Sequence, residues 1–375
     1  MPSPLYPVYG ERFGFSDLVV TLIYATYAVG VITALLAVGR LSDEIGRRRA
    51  LFFGLVLSAA STAVFLLAHG IAPLFLGRFL SGLSIGVFAG TATATLVDLA
   101  GSGHESRATL ASTFANLGGL ALGPLIAGAL MTWEPLPLRL TFWFALALLV
   151  PAALCVWTMP ETVAARGRFR LRPQALSVPA EMRAIFGRAS LVGFVGFAVL
   201  GSFTGVASAF LPEVLGVTSH FVAGLVVFLV FGSSVVGQLL IRGLDAGPAM
   251  RRGCGMLLLG LALDFAGLAD RSLALLLAGG MICGLGQGLG FRAALFTINA
   301  AAPAGRRAEV ASSFFVISYV GLSIPAIGIG VLADLADLQL AGLVFAVVSA
   351  VVTAIAIGLL APGSRVQYLL RKSND

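Results

Sequence analysis

Apolar residues in this chain come in long unbroken runs, and charged residues gather between them. LVVTLIYATYAVGVITALLAV (18–38) and ALFFGLVLSAASTAVFLLA (50–68) are two such runs, separated by the charged stretch GRLSDEIGRRR (39–49). An α-helix needs about 20 apolar residues to cross the hydrocarbon core of a bilayer. Runs of that kind are read at 17–38, 50–69, 73–99, 108–131, 138–158, 189–211, 219–241, 253–269, 272–299, 309–332 and 338–360, eleven in all. A membrane β-barrel would show segments of about ten residues with alternating polarity, and that alternation is absent. The pattern predicts an all-α polytopic membrane protein.

Composition agrees. The chain of 375 residues is 58% hydrophobic and only 11% charged, more apolar than the roughly 45–50% of soluble domains. The net charge of +7 would suit nucleic acid if the cations formed one soluble patch. They lie instead in loops between spans, so the expected partner is the lipid bilayer and not a nucleic acid. Cys155, Cys254 and Cys283 sit in or beside apolar runs and read as reduced packing residues. His69, His104 and His220 show no ligand spacing, so no metal site is expected. There is no glycine-rich loop ending in Lys-Ser or Lys-Thr, which argues against ATP as the driving force. Nothing resembles a catalytic constellation, and no cofactor or enzymatic activity is expected.

The distribution of cations sets the topology. Nineteen of the 24 Lys and Arg residues lie in alternate loops and the carboxyl-terminal tail, three lie in the other loops, and Arg78 and Arg292 lie within spans. Cytoplasmic loops carry the excess of Lys and Arg, so the rich side is expected to be cytoplasmic, with the carboxyl terminus there. The span 17–38 then runs from outside to inside. The preceding MPSPLYPVYGERFGFS is too short and Pro-rich to cross, and it reads as the outer end of a helix whose body is missing. A first transmembrane helix is therefore expected upstream, lost by truncation or a misassigned start; the alternative is a genuine eleven-span protein. A single lysine among the basic residues, with abundant Ala and Gly, fits a GC-rich bacterium and placement in its inner membrane.

The chain also repeats itself. LASTFANLGGLALGPLIAGAL (110–130) resembles VASSFFVISYVGLSIPAIGIGVL (310–332), and GLSIG (82–86) matches GLGQG (284–288). The division expected from this is an amino-terminal half at 1–158, a cytoplasmic linker at 159–188, a carboxyl-terminal half at 189–360 and a cytoplasmic tail at 361–375. With the missing helix restored, each half has six spans, related as parallel repeats.

GRLSDEIGRRR places Gly39, Leu41, Asp43, Gly46, Arg47 and Arg48 at a spacing that resembles the signature loop of the major facilitator superfamily. Asp43 precedes Arg47 by four, the favourable order for a helical ion pair. Such a pair in a solvated loop is worth only about 0.3–0.5 kcal/mol, so stability alone is a poor reason for the cluster. The resemblance implies two six-helix halves and a loop that latches them on the cytoplasmic side when the cavity faces outward, with Asp98, at the end of its span, as partner. It assigns Gly39, Asp43, Gly46, Arg47, Arg48 and Asp98 to that latch; the bland alternative is a topogenic charge cluster.

Arg78, Gly82 and Gly86 match a pattern of the family's fourth span. Arg78 lies near the outer end of its span, where it is either a functional cation or a snorkelling anchor. Arg292 lies well inside 272–299, with Gln287 before it. A cation at such a depth calls for a wet cavity or a carboxylate, and Asp264 and Glu213 are the candidates. The resemblance makes this span cavity-lining and gives Arg292, Gln287 and Arg78 a substrate or coupling role; a structural salt bridge is the alternative for Arg292. Gly119, Gly123, Pro124 and Gly128 resemble the family's fifth-helix motif, which marks exporters, although Ala127 replaces one glycine. Small residues at this spacing otherwise serve ordinary helix packing.

The other polar residues in candidate cavity helices are Thr91, Thr93, Asn116, Ser202, Thr204, Ser208, Gln238 and Asn299, and most of them are expected to bond back to their own helix. A lightly polar cavity with Phe88, Phe203, Phe210 and Phe291 would suit an amphipathic ligand. The function so implied is secondary active transport by a monomer, export of a small amphipathic compound in exchange for protons. An importer of the same fold and a non-transporting receptor or assembly partner remain the alternatives.

Overall fold

The computed structural model describes residues 3–38, 41–101, 103–132, 137–163, 176–241 and 244–361. Among the described residues all regular structure is helical. In chain order the α-helices are α1 (Tyr6–Phe13), α2 (Asp17–Val38), α3 (Leu41–Ile45), α4 (Arg47–Leu66), α5 (Ile71–Ala100), α6 (Glu105–Met131) and α7 (Pro137–Thr158). They continue as α8 (Arg183–Gly205), α9 (Ala207–Leu215), α10 (His220–Leu239), α11 (Ala246–Ala269), α12 (Leu273–Ala301), α13 (Arg307–Leu335) and α14 (Leu338–Leu359). All but α1, α3 and α9 are long and apolar enough to cross a membrane, eleven helices among the described residues.

Two elements differ from the sequence reading. The run read as one span at 189–211 is broken: α8 starts earlier and ends at Gly205, and α9 follows after one residue. The composition stays apolar across the break, so hydropathy carries no trace of it. α11 starts at Ala246, seven residues before the expected 253, and takes Arg251 and Arg252 into its first turns. Arginine is a good helix former, and near a helix end its long stem lets the charge reach water. The Pro-rich start forms α1, with Pro7 in its first turn, where its missing N–H costs no hydrogen bond. α1 stops at Gly14, whose φ of 67° is left-handed. Leu5, Tyr6 and Tyr9 are buried with Phe65, Leu74, Ala127, Met131 and Phe142.

The chain divides into two compact units. The first comprises Met1–Ala175, Gly205–Pro212 and Val217–Phe228. The second comprises Leu176–Thr204, Glu213–Gly216 and Leu229–Asp375.

Lipid offers no hydrophobic drive between helices, so close packing and hydrogen bonds must hold them. In the first unit α5 lies against α2 at Gly82 and Gly86: a Cβ on Gly82 would strike the Tyr27 carbonyl, and one on Gly86 would stand 2.5 Å from the Ala34 methyl. Across the α4–α5 interface Ser61 donates to the Gly77 carbonyl at 2.7 Å and Ser84 to the Gly54 carbonyl at 2.8 Å. In the second unit Gly284 and Gly288 of α12 lie against the carbonyls of Val230 and Ser234 on α10. The two matched five-residue strings thus do the same work, each seating one helix against another.

The tightest seam of the second unit joins α11 and α12. Gly253, Gly260 and Gly267 recur every seven residues, the spacing of a helix seam. A Cβ on Gly253 would meet the Gly286 carbonyl at 2.7 Å, and one on Gly260 would meet Cys283 Sγ at 2.5 Å. A core of Phe186, Val192, Met250, Cys254, Leu289, Ile298 and Phe314 packs beside this seam.

Candidate functional site

The charged motif folds as a break between two helices. Gly46, the N-cap of α4, has φ 96° and ψ 152°, a backbone state reserved for glycine. α3 and α4 are therefore separate helices, and Asp43 and Arg47 do not share the continuous helix that their spacing implies. Gly39 and the Asp43 side chain lie outside the described residues. Arg47 sends Nε to Asp98 Oδ2 at 3.3 Å and Nη1 to Ser42 Oγ at 2.6 Å. The expected pairing of Arg47 with Asp98 is present as an ion pair.

Residues that the motif does not name complete this cluster. A helix start leaves backbone N–H groups unpaired, with a partial positive charge. Glu161, three residues past the end of α7, supplies the cap: Oε1 accepts from Arg47 N at 2.7 Å and Oε2 from Arg48 N at 3.2 Å. Its carboxylate fills the place where a Cβ on Gly46 would stand, with Oε2 at 2.5 Å. Thr162 donates to Asp98 Oδ2 at 3.2 Å, and the Arg48 guanidinium lies 5.5 Å from the Trp157 ring centroid. The only sequence signal for Glu161 is an acid just beyond an apolar run, and that run is far away in the chain.

Arg78 is eight residues into α5 and only 7% exposed. It does not snorkel. The two glycines four and eight residues later draw α5 onto α2, which carries Tyr24 and Tyr27, and α1 brings Tyr6. The guanidinium carbon lies 5.2, 5.4 and 5.6 Å from the ring centroids of Tyr6, Tyr24 and Tyr27. Nε donates to the Tyr6 hydroxyl. Nη2 is buried without a hydrogen-bond partner among the described residues. A desolvated cation gains about 2 kcal/mol from a ring face, but an unpaired buried donor on a charged group costs more than the roughly 1–3 kcal/mol of a neutral one.

In the second unit Arg292 is half-buried, and Nη1 donates to the Gln238 carbonyl at 3.1 Å. Gln238 lies in the last turn of α10, where carbonyls lack helical partners and the dipole favours a cation. The structure thus places Arg292 level with the end of α10, and no carboxylate among the described residues meets it. Of the candidate acids, Asp264 is buried elsewhere, its Oδ2 3.6 Å from Cys283 Sγ. Gln287 faces α10 and accepts from Ser234 Oγ at 2.5 Å.

Beside Arg292, Phe291 joins a cluster with Phe197, Phe314, Phe315 and Tyr319, at centroid separations of 5.3–6.0 Å. Of the four phenylalanines proposed from sequence, only Phe291 is in this cluster. Phe88 packs on Gly54, Phe203 lies against Gly280, and Phe210 is buried. Of the eight polar residues named from sequence, Thr93, Ser202 and Thr204 bond back to the carbonyls of Ala89, Val199 and Leu200.

The fifth-helix motif divides. Gly128 meets the backbone of His220 on α10, and Gly224 of α10 meets the Pro124 carbonyl. Gly123 is buried, whereas Gly119 is exposed and has nothing near its Cβ position. Packing contacts account for Pro124 and Gly128 and leave Gly119 without a structural reason.

The comparisons with known proteins bear on this arrangement. Over 178 residues the chain is 27% identical to the quinolone resistance protein NorA of Staphylococcus aureus, covering 46% of this chain and 45% of that protein. Over 145 residues it is 31% identical to the uncharacterized MFS-type transporter YwfA of Bacillus subtilis, covering 38% of this chain and 34% of that one. The matched stretches span less than half of either relative. Among solved structures, a bacterial homolog of the human lysosomal transporter Spinster, inward-facing and occupied, superposes with a TM-score of 0.70 at 16% identity, covering 96% of this chain and 91% of that one. A mutant of the nucleoside transporter NupG gives 0.68 at 14%, covering 96% and 95%. The human organic anion transporter MFSD10 gives 0.63 at 18%, covering 92% and 83%. These likenesses concern the fold. The family profile of the Major Facilitator Superfamily matches residues 1–263, and the chain belongs to that superfamily.

Proposed function

We propose that the protein is a secondary active transporter of the bacterial inner membrane that exports a small amphipathic compound in exchange for protons by alternating access. The observation that carries this reading is the aromatic cluster of the second unit around Phe291, with Arg292 next to it in α12 and the Gln287–Ser234 pair one to two turns earlier. Rings give a surface for apolar bodies, and a few fixed polar groups set orientation. Export is favoured over import by the similarity to a quinolone resistance protein and by the fifth-helix residues.

The latch role assigned to Gly39, Asp43, Gly46, Arg47, Arg48 and Asp98 belongs to this proposal. The Arg47–Asp98 pair is partly exposed, at 14% and 34%, and exposed ion pairs contribute about 0–1 kcal/mol. That weakness suits an alternating device, because states that interconvert in each cycle must lie within a few kcal/mol of one another. A strong lock would hold one state.

The test uses inside-out vesicles with an acidified lumen and a fluorescent quinolone in the medium. Uptake that collapses with a protonophore is expected. Uptake indifferent to the gradient, or driven the other way, overturns proton-coupled export. Arg292→Ala is expected to lower uptake about 10-fold or more, the loss of a charged hydrogen bond to ligand. Removing a cap alone costs about 0.3–1 kcal/mol, so a small fall in Tm with unchanged uptake would assign Arg292 to capping only.

A further inference from the structure

We infer that Arg78 and the tyrosines Tyr6, Tyr24 and Tyr27 form a binding site for the carboxylate of an aromatic acid. The inference deepens the transport reading, on which it rests for treating that acid as cargo. Four observations converge. The guanidinium is more than nine-tenths buried, yet no carboxylate among the described residues meets it. Its Nε is occupied by the Tyr6 hydroxyl, which fixes the plane of the group. Its Nη2 is buried with no partner among the described residues, so this nitrogen at the outer edge of the fork is left to be satisfied. Three ring faces surround the cation, and no ion pair with it is found among the described residues.

This combination points to one ligand chemistry. The terminal edge of a guanidinium matches the two oxygens of a carboxylate, and such paired charge-assisted bonds are strong where water is excluded. Ring walls offer stacking to a flat apolar body. A cationic ligand would be repelled by Arg78, and a neutral one would leave the charge as it is. Tyr27 is half-buried while Tyr6 and Tyr24 are buried, so approach is from the Tyr27 side. The site is built by packing: Gly82 and Gly86 hold α5 against the helix that carries two of the tyrosines. A site of this shape departs from the aromatic cluster of the second unit, where Arg292 already holds a backbone carbonyl.

Benzoate is the probe, with benzamide as its neutral counterpart and chloride at equal ionic strength as the inorganic anion. Binding to the purified full chain in detergent is read as the concentration dependence of Tm. Benzoate is expected to raise Tm saturably, and benzamide and chloride are not. Arg78→Gln is expected to weaken the benzoate effect by about 10-fold or more, with Arg307→Gln, at an exposed arginine of α13, unchanged. Should Arg78→Gln fail to fold, Arg78→Lys keeps the charge but lacks the fork, and it is expected to weaken binding by a smaller factor. Tyr27→Phe keeps the ring and reports on its hydroxyl alone. An equal response to chloride overturns the inference in favour of an inorganic-anion site. Benzoate binding that survives both Arg78 variants, or that is absent from the wild type, overturns it as well.

Flux in proteoliposomes separates the two readings. Arg78-dependent benzoate binding without flux of benzoate, the quinolone or ethidium leaves the site standing and sinks transport. Gradient-driven flux of ethidium, with benzoate neither bound nor carried, does the reverse.

Discussion

Gly46 shows how one residue can set a local structure. Its φ of 96° is strained for any side chain, and the Glu161 carboxylate lies where a Cβ would be. Gly46→Ala is therefore expected to destabilise the protein by about 1–3 kcal/mol, seen as a lower Tm. Glu161→Ala is expected to lower Tm further than Glu161→Gln, which keeps an acceptor for the two N–H groups and loses only the charge. Spacing singles out Gly46 and Arg47, because a dense motif leaves a local trace, whereas Asp98 enters through the family resemblance and its place at the end of a span. Glu161 leaves none: its partners Arg47 and Arg48 are 114 and 113 residues away, and nothing around an acid at a span end reveals which helix start it will cap. Arg78 is legible as a costly cation, but its tyrosines are not. Tyr6 lies in a segment too short to cross, and Tyr24 and Tyr27 are ordinary members of an apolar run. A cage assembled from three helices has no period in the sequence.

At the scale of elements, bilayer thickness explains what can be read. The length needed to cross is nearly constant, so runs 17–38, 138–158 and 338–360 agree with α2, α7 and α14 within one residue. The break between α8 and α9 escapes because both sides are apolar. Glycine is similarly double-valued, which α11 illustrates. Gly260 faces Cys283 Sγ at 2.5 Å and its backbone N at 2.7 Å, whereas Gly255, five residues earlier, has nothing within 4 Å. Gly260→Ala is expected to cost about 1–3 kcal/mol by overpacking. Gly255→Ala is expected to be neutral or to stabilise by up to about 1 kcal/mol, since alanine is the better helix former. Thermal unfolding of the two variants side by side checks this; equal effects would mean that the α11–α12 seam does not depend on close approach.

For the whole molecule the decisive quantity is the sidedness of arginine. Nineteen of 24 cations fall on one side of the proposed topology. Glu44, in the short helix of the charged motif, is the reporter of choice. In Glu44→Cys on a Cys155→Ser background, a membrane-impermeant maleimide is expected to label inside-out vesicles and to leave right-side-out vesicles unlabelled; the opposite result inverts every span. The repeat can be read because GLSIG and GLGQG keep both their glycines and their task of seating one helix on another. The cation four residues before the first string has no counterpart before the second, where Gly280 stands. Symmetry in packing therefore coexists with asymmetry in charge, and sequence comparison between the halves detects only the former.

The seam between α11 and α12 has a practical corollary. Cys283 is sealed in it and Cys254 in the core beside it, whereas Cys155 is exposed. A background ready for spin labels or fluorescent dyes thus calls for a single replacement, at position 155, and the two interior thiols can stay as native ballast while distances between chosen sites are followed through the working cycle.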